Sequence, residues 1–256
     1  MSDNRAIGIF DSGVGGLTVL EECIKILPNE DFIYFGDIAR APYGSKDVET
    51  IVGYAKEICK FLIKKDIKAI VVACNTESAY ALDEIKSMVN CPVIGVIEPG
   101  ARNAANESLS KNIAVIATEA TIKSKAYTKS INKYGNFNVV EIACPEFVPI
   151  IEGGIKDIAS LRLCIKNYLS EIKATNIDTL VMGCTHYPHI EKYIREFLPR
   201  IQFINPAKET AKDLLNILGR ELRCEKNEKG NITIYCSKKS EILLKLSQVE
   251  PIEIKL

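Results

Sequence analysis

Two apolar runs each end in a cysteine followed by polar residues, AIVVACNT over 69–76 and TLVMGCTH over 179–186. Runs of this length and β-branched content read as buried strands, so Cys74 and Cys184 fall at strand carboxyl ends, where open α/β sheets gather ligands. Two further strand ends carry polar groups: Asp11 and Ser12 after IGIF, and Thr118 with Thr121 after IAVIA. If the two cysteine-bearing strands face each other, the thiols flank one cleft from opposite sides. Opposed thiols suit stereoinversion at a carbon acid. One thiolate removes a proton from one face, and the other thiol supplies a proton to the opposite face. An unperturbed cysteine, with a pKa of about 8.5, is only roughly 3% thiolate at pH 7. Such a site therefore needs neighbouring donors, a cation or helix starts. Asn75 and Thr76 open the helix after Cys74, while Thr185 and His186 follow Cys184. Asp11 and His186 are the groups suited to relay protons or to hold each thiol in its working ionisation state.

Other chemistries use the same residues. The chain has nine cysteines, at 23, 59, 74, 91, 144, 164, 184, 224 and 236, with no CxxC pair. That odd, scattered set is no disulfide framework and points to a reducing compartment. Most free cysteines are buried small apolar residues, and only the matched placement of Cys74 and Cys184 sets those two apart. Asp11-Ser12-Gly13-Val14-Gly15-Gly16 sits where dinucleotide proteins place GxGxxG, with an acid following at Asp37. However, Thr18 fills the third glycine position and Asp11 would bring negative charge towards a pyrophosphate. Zinc on Cys74, Cys184 and His186 is a further option, but there is no compact ligand pair.

The elements that must position these residues alternate. Ala6–Phe10, Asp31–Phe35, Ala69–Ala73 and Pro92–Ile97 read as strands, apolar on both faces as in a parallel sheet. Between them, Val48 to Leu62 and Ala79 to Val89 carry apolar residues at helical spacing. The plan then restarts with strands at Ile113–Ala117, Val139–Ile142, Thr179–Met182 and Gln202–Ile204. Helical stretches lie near 120–134, 158–173 and 189–197. A strand, helix and strand close the chain at Ile232–Tyr235, Ile242–Leu246 and Ile252–Ile254. IGIFDS at 7 matches IAVIAT at 113 in character, and the cysteines at 74 and 184 match likewise. The offsets are 113 − 7 = 106 and 184 − 74 = 110. The expected fold is therefore α/β, with two pseudo-symmetric α/β domains, mainly parallel sheets and the active site in the interdomain cleft. No linker separates the halves, so the first domain is expected over 1–97 plus 208–256 and the second over 98–207.

Composition narrows the class. At 256 residues with 47% hydrophobic and 26% charged side chains, the chain suits a globular protein of one or two domains. Lys plus Arg equals Asp plus Glu, at 33 each, so no basic excess favours nucleic acid. No run reaches the ~18–20 apolar residues of a membrane span, and MSDNRAIGIF lacks a signal pattern, so the expected location is cytoplasmic.

Seven segments together resemble the glutamate racemases of the aspartate/glutamate racemase family, over essentially the whole chain. They are IGIFDSGVGGLTVL (7–20), YFGDIARAPYGSK (34–46), VVACNTESA (71–79), PVIGVIEPG (92–100), ATEATIKS (117–124), ACPEFVPIIEGG (143–154) and DTLVMGCTHYPHI (178–190). The resemblance implies cofactor-free interconversion of L- and D-glutamate, with the product feeding peptidoglycan, and closure of the domains over the substrate. It implies Cys74 and Cys184 as acid/base thiols, Cys74 serving D-glutamate and Cys184 L-glutamate, assisted by Asp11, Glu152 and His186. It implies a substrate site of Asp11, Ser12, Tyr43, Gly44, Asn75, Thr76, Thr118, Thr121, Thr185 and His186, with no metal. No pyridoxal signature is present, so the carbanion must rely on hydrogen bonds in a closed cleft. An aspartate racemase and a non-enzymatic acidic-ligand binder are the alternatives; the PYG and DSG motifs favour glutamate, and two retained thiols disfavour a passive binder. Departures from the family pattern are Glu77, Ala117 and His189, of which Glu77 and His189 could alter the cleft entrance. The short amino terminus implies no activation by a cell-wall precursor. The oligomeric state stays open, with a homodimer among the options.

Overall fold

A computed structural model describes residues 3–173, 175–225, 228–247 and 249–256. The strands are β1 (Ile7–Asp11), β2 (Phe32–Gly36), β3 (Ala69–Val72), β4 (Val93–Gly95), β5 (Asn112–Ala117), β6 (Asn138–Ala143), β7 (Thr179–Gly183), β8 (Gln202–Ile204), β9 (Ile232–Cys236) and β10 (Ile252–Glu253). They form two parallel sheets, ordered β10-β9-β2-β1-β3-β4 and β6-β5-β7-β8. Without β9 and β10 the first sheet reads β2-β1-β3-β4, the same order as β6-β5-β7-β8 in the second. The echo in the sequence is thus a repeated topology: β1 matches β5, and β3, which leads into Cys74, matches β7, which leads into Cys184.

The helices are α1 (Leu17–Ile26), α2 (Val48–Ile63), α3 (Asn75–Tyr80), α4 (Leu82–Met88), α5 (Ile97–Glu107), α6 (Glu119–Ser124), α7 (Ala126–Ile131), α8 (Phe147–Glu152), α9 (Ile158–Lys173), α10 (Glu191–Phe197), α11 (Pro206–Leu218) and α12 (Glu241–Ser247). In α2, Ile51, Ala55, Ile58, Cys59 and Leu62 recur at helical spacing and are buried, and Asp47 caps the start by accepting from the Thr50 amide. Asn205 caps α11, with Pro206 at its first position. Each sheet buries both faces. Ile7 and Ile9 of β1 pack with Leu20, Ala211 and Leu214, while Phe10 faces Ile58, Leu62 and Val72. In the second sheet, Ile116, Leu180 and Met182 pack with Leu161, Ile165 and Leu169; Ile113, Val115 and Val181 face Ile97 and Ala101.

Some expected boundaries move. The strand expected over Pro92–Ile97 is confined to Val93–Gly95, because Ile97 already begins α5. The helical stretch over Ala79–Val89 divides at Ala81, and that near 120–134 divides at Lys125, whose φ of 57° is left-handed. Among the described residues, no helix is long and apolar enough to cross a membrane.

Candidate active site

The strand ends of the two sheets meet at one pocket, lined by Ser12, Pro42, Tyr43, Gly44, Cys74, Asn75, Thr76, Thr118, Val148, Gly183, Cys184, Thr185 and His186. Both cysteines therefore reach the same space, one from each sheet. Asp11, Thr121 and Glu152 stand one layer behind this lining, each bonded to a residue that belongs to it.

On the Cys184 side, His186 is buried with both ring nitrogens engaged. Nδ1 lies 3.8 Å from Cys184 Sγ and Nε2 lies 3.0 Å from Glu152 Oε1. Burial works against the imidazolium, but the Cys184 sulfur, Glu152 and Asp11 outweigh it and push the His186 pKa up to about 10. The imidazole of His186 is thus held towards its protonated form beside the Cys184 sulfur.

The Cys74 side differs. The Cys74 thiol donates to Ser12 Oγ at 3.6 Å. Burial pushes that thiol well above its usual range, and Glu77 and Asp11 push it further. Glu77, which the sequence suggested as able to alter the cleft entrance, is fully buried in α3, the helix that follows Cys74. Asp11 is also buried; Oδ1 accepts from the Gly13 amide at 2.8 Å and Oδ2 from Thr185 Oγ1 at 3.1 Å. Burial raises the Asp11 pKa, against the opposing pull of His186. The carboxylate thus occupies the glycine-rich turn after β1, taking an amide that a phosphate would need. Asp37 is likewise held, by Tyr43 and Arg40. Both observations disfavour a dinucleotide site. Among the described residues, no group of three or more His, Cys, Asp or Glu side chains is arranged to hold a metal.

Comparison with known proteins identifies the family of the chain. Residues 7–214 match the Asp/Glu/Hydantoin racemase family. The chain belongs to this racemase family, and the enzyme is an isomerase. A glutamate racemase of Geobacter metallireducens is 50% identical over 236 residues, which are 91% of this chain and 87% of the relative. The glutamate racemase isoform RacE1 of Bacillus anthracis superposes with a TM-score of 0.93 at 35% identity, covering 99% of this chain and 98% of the other. The glutamate racemase of Francisella tularensis, solved in complex with D-glutamate, superposes with a TM-score of 0.90 at 39% identity over 99% and 98% of the two chains.

The remaining polar groups in and behind this pocket are hydroxyls and amides. Thr76, Thr118 and Thr121 form a closed triangle, with Oγ1 separations of 3.0 Å (Thr76 to Thr118), 3.2 Å (Thr76 to Thr121) and 3.0 Å (Thr118 to Thr121). Tyr127 donates to Asn75 Oδ1 at 2.6 Å, which leaves the Asn75 amide nitrogen as a donor. The Tyr43 hydroxyl donates to Asp37, so its proton is already engaged outside the set of pocket-lining residues. Gly44 packs so closely on Thr118 that a Cβ there would stand 2.6 Å from the Thr118 Cβ, and its carbonyl accepts from the Ala120 amide. Pro42, Val148 and Gly183 also line the pocket and were not singled out from sequence. Pro42 adjoins Tyr43 and Gly183 adjoins Cys184, so proximity to the motifs was the available signal. Val148 comes from α8, a helix too short for its periodicity to show. His189 is half-buried and outside the lining.

Proposed function

We propose that the enzyme interconverts L- and D-glutamate by moving the α-proton between Cys74 and Cys184, without a cofactor. The observation that carries this reading is one pocket lined by both cysteines, each following the equivalent strand of its sheet. A pocket open to two thiols from opposite sides suits proton removal on one face and delivery on the other.

In the L-to-D direction, Cys184 is the base. Its thiolate, beside the His186 imidazolium, takes the α-proton, and the Cys74 thiol delivers a proton to the opposite face. The roles exchange for D-glutamate. Glu152 holds His186 in place and in charge. The carbanion's charge spreads into the α-carboxylate, where donors from Ser12, Asn75, Thr76, Thr118 and Thr185 and backbone amides near Gly44 can meet it. Asp11 and Thr121 act by positioning Thr185 and the Thr76–Thr118 pair. Closure of a domain of residues 1–97 with 208–256 on one of 98–207 would shield the carbanion from water. The two sheets and their separate cores support that division.

The curated relatives support glutamate over aspartate as substrate. In this reading the enzyme is cytoplasmic and supplies D-glutamate for peptidoglycan, and so serves cell-wall biogenesis and cell shape. A homodimer is the assembly to test by light scattering.

The test is proton NMR of metal-free protein with L-glutamate in heavy water, with L-aspartate in parallel and no cofactor added. Loss of the glutamate α-proton signal with appearance of D-glutamate is the expected result. Exchange of aspartate alone would transfer the reading to an aspartate racemase, and exchange of neither would leave a ligand-binding protein.

A further inference from the structure

The pocket lined by both cysteines encloses about 20 Å³, room for a water molecule but not for an amino acid. A substrate of that size reaches the thiols only when the rim between the two sheets opens. The bonds across the rim therefore decide access.

On one side, the Thr18 hydroxyl donates to the Thr185 carbonyl at 3.3 Å. These two residues share a small cavity with Val96, Asn205 and Pro206, where the chain passes from one sheet to the other. Gly100 packs on that passage so closely that a Cβ there would stand 2.9 Å from the Pro206 ring. The chain itself pins this side.

The contact at the start of α6 has no such covalent support. The Ala120 amide donates to the Gly44 carbonyl at 3.0 Å, and the Ala120 carbonyl accepts from the Tyr80 hydroxyl at 2.9 Å. One residue of the second half is thus clasped through both backbone groups by two residues of the first. Ala120 also packs with Tyr43 and Ile51, flanked by Tyr54 and Tyr80. Tyr80 is half-buried and stands outside the pocket lining, so its hydroxyl serves the rim rather than the pocket.

The amide of Ala120 lies in the first turn of α6, where the helix offers its own amides no acceptor. Thr118, just before α6, is of a type that caps such amides. Among the described residues its side chain makes no capping bond, because its hydroxyl is engaged with Thr76 and Thr121. The Gly44 carbonyl takes that role from across the rim.

We propose that Tyr80 and Gly44 form a latch on Ala120, which releases to admit substrate and to free product. The proposal rests on the reading of this pocket as the racemisation site and adds the residues that control access to it. When the rim parts, Thr76 leaves with Gly44, and the Thr118 hydroxyl is then able to accept from the Ala120 amide. The helix start has an acceptor in either state, which keeps opening inexpensive. Tyr80 touches neither thiol; it is a positioning residue that holds the closed form.

The test is Tyr80→Phe, which keeps the ring and removes only the hydroxyl. Amide hydrogen exchange is followed residue by residue by NMR in the substrate-free enzyme. Exchange at Ala120 should rise by about fivefold, the factor carried by one ordinary hydrogen bond. The Ala73 amide, bonded to the Phe10 carbonyl at the end of β3, should not change. Unchanged exchange at Ala120, or an equal rise at both amides, overturns the proposal. In turnover, the weakened closed complex should raise KM for both enantiomers by about the same factor without lowering kcat. A lower kcat at unchanged KM overturns it. The exchange readout needs no turnover. An Ala120 amide that responds to Tyr80→Phe in a protein that does not racemise glutamate would sink the functional reading and leave the latch standing.

Discussion

Thr185 Oγ1 donates to Asp11 Oδ2 at 3.1 Å, joining the end of β7 to the end of β1 across 174 positions of the chain. Both residues are buried, and the other Asp11 oxygen holds the Gly13 amide. One carboxyl group thus fixes the turn after β1 against the strand end that carries Cys184. Thr185→Val keeps the shape and removes the donor, leaving a buried acceptor unmet. A loss of about 1–3 kcal/mol in unfolding free energy is expected. Urea titration measures it, and a double cycle with Asp11→Asn assigns the loss to this bond. An unchanged midpoint in the valine variant would mean the bond contributes nothing.

Replacing either thiol by a hydroxyl removes the group best matched to proton transfer near neutral pH. Cys74→Ser and Cys184→Ser are each expected to lower kcat/KM for glutamate by more than about a hundredfold. The two enantiomers have equal free energy, so the loss in kcat/KM must be the same in both directions for either variant. Circular dichroism started from L- and from D-glutamate checks this. One serine variant with near-normal turnover is incompatible with the two-thiol mechanism.

His186 gives the protein a pH dependence on the alkaline side. Its folded pKa of about 10 lies above the ordinary value of 6.5. The charge interactions it makes are therefore fully present below pH 6.5 and are lost as pH rises through about 10. Activity that needs the imidazolium beside Cys184 should fall as pH rises through about 10. Glu152→Gln keeps the hydrogen-bonding shape and removes a negative partner, so the alkaline limb of kcat/KM should move to lower pH. A limb that stays in place after that change would separate Glu152 from the ionisation of His186.

The parts of the fold legible in sequence were those whose residues repeat a period or punctuate it. β1, β3, β5 and β7 are short apolar runs closed by a polar residue, and α2 carries its buried face at helical spacing. The strand read over Pro92–Ile97 ran too far because Val96 and Ile97 continue the apolar run, although the chain has turned into α5. The helix α5 was missed: Pro99 and Gly100 look like a turn, yet both are buried within it, where small residues allow close packing. Pocket residues beside the cysteines were legible for the same reason as the strands. The hydroxyl triangle of Thr76, Thr118 and Thr121 and the burial of Glu77 in α3 were not, because they depend on how two distant segments meet.

Gly15 marks a close approach between the halves. A Cβ at this position would fall onto the Thr185 hydroxyl and within 2.6 Å of His186 Nδ1, the atom that faces Cys184. Gly15→Ala must therefore displace the imidazole or push the turn after β1 away from the end of β7. Forcing extra atoms into a packed site costs about 1–3 kcal/mol, and this is the expected loss in urea unfolding. Catalysis is more sensitive, because displacing a proton-transfer partner by about 1 Å can cost roughly a hundredfold. The variant is thus expected to remain folded while kcat/KM for glutamate drops by about that factor. An alanine variant with wild-type kcat/KM would show that the contact between Gly15 and the Thr185–His186 segment does not set the geometry of Cys184.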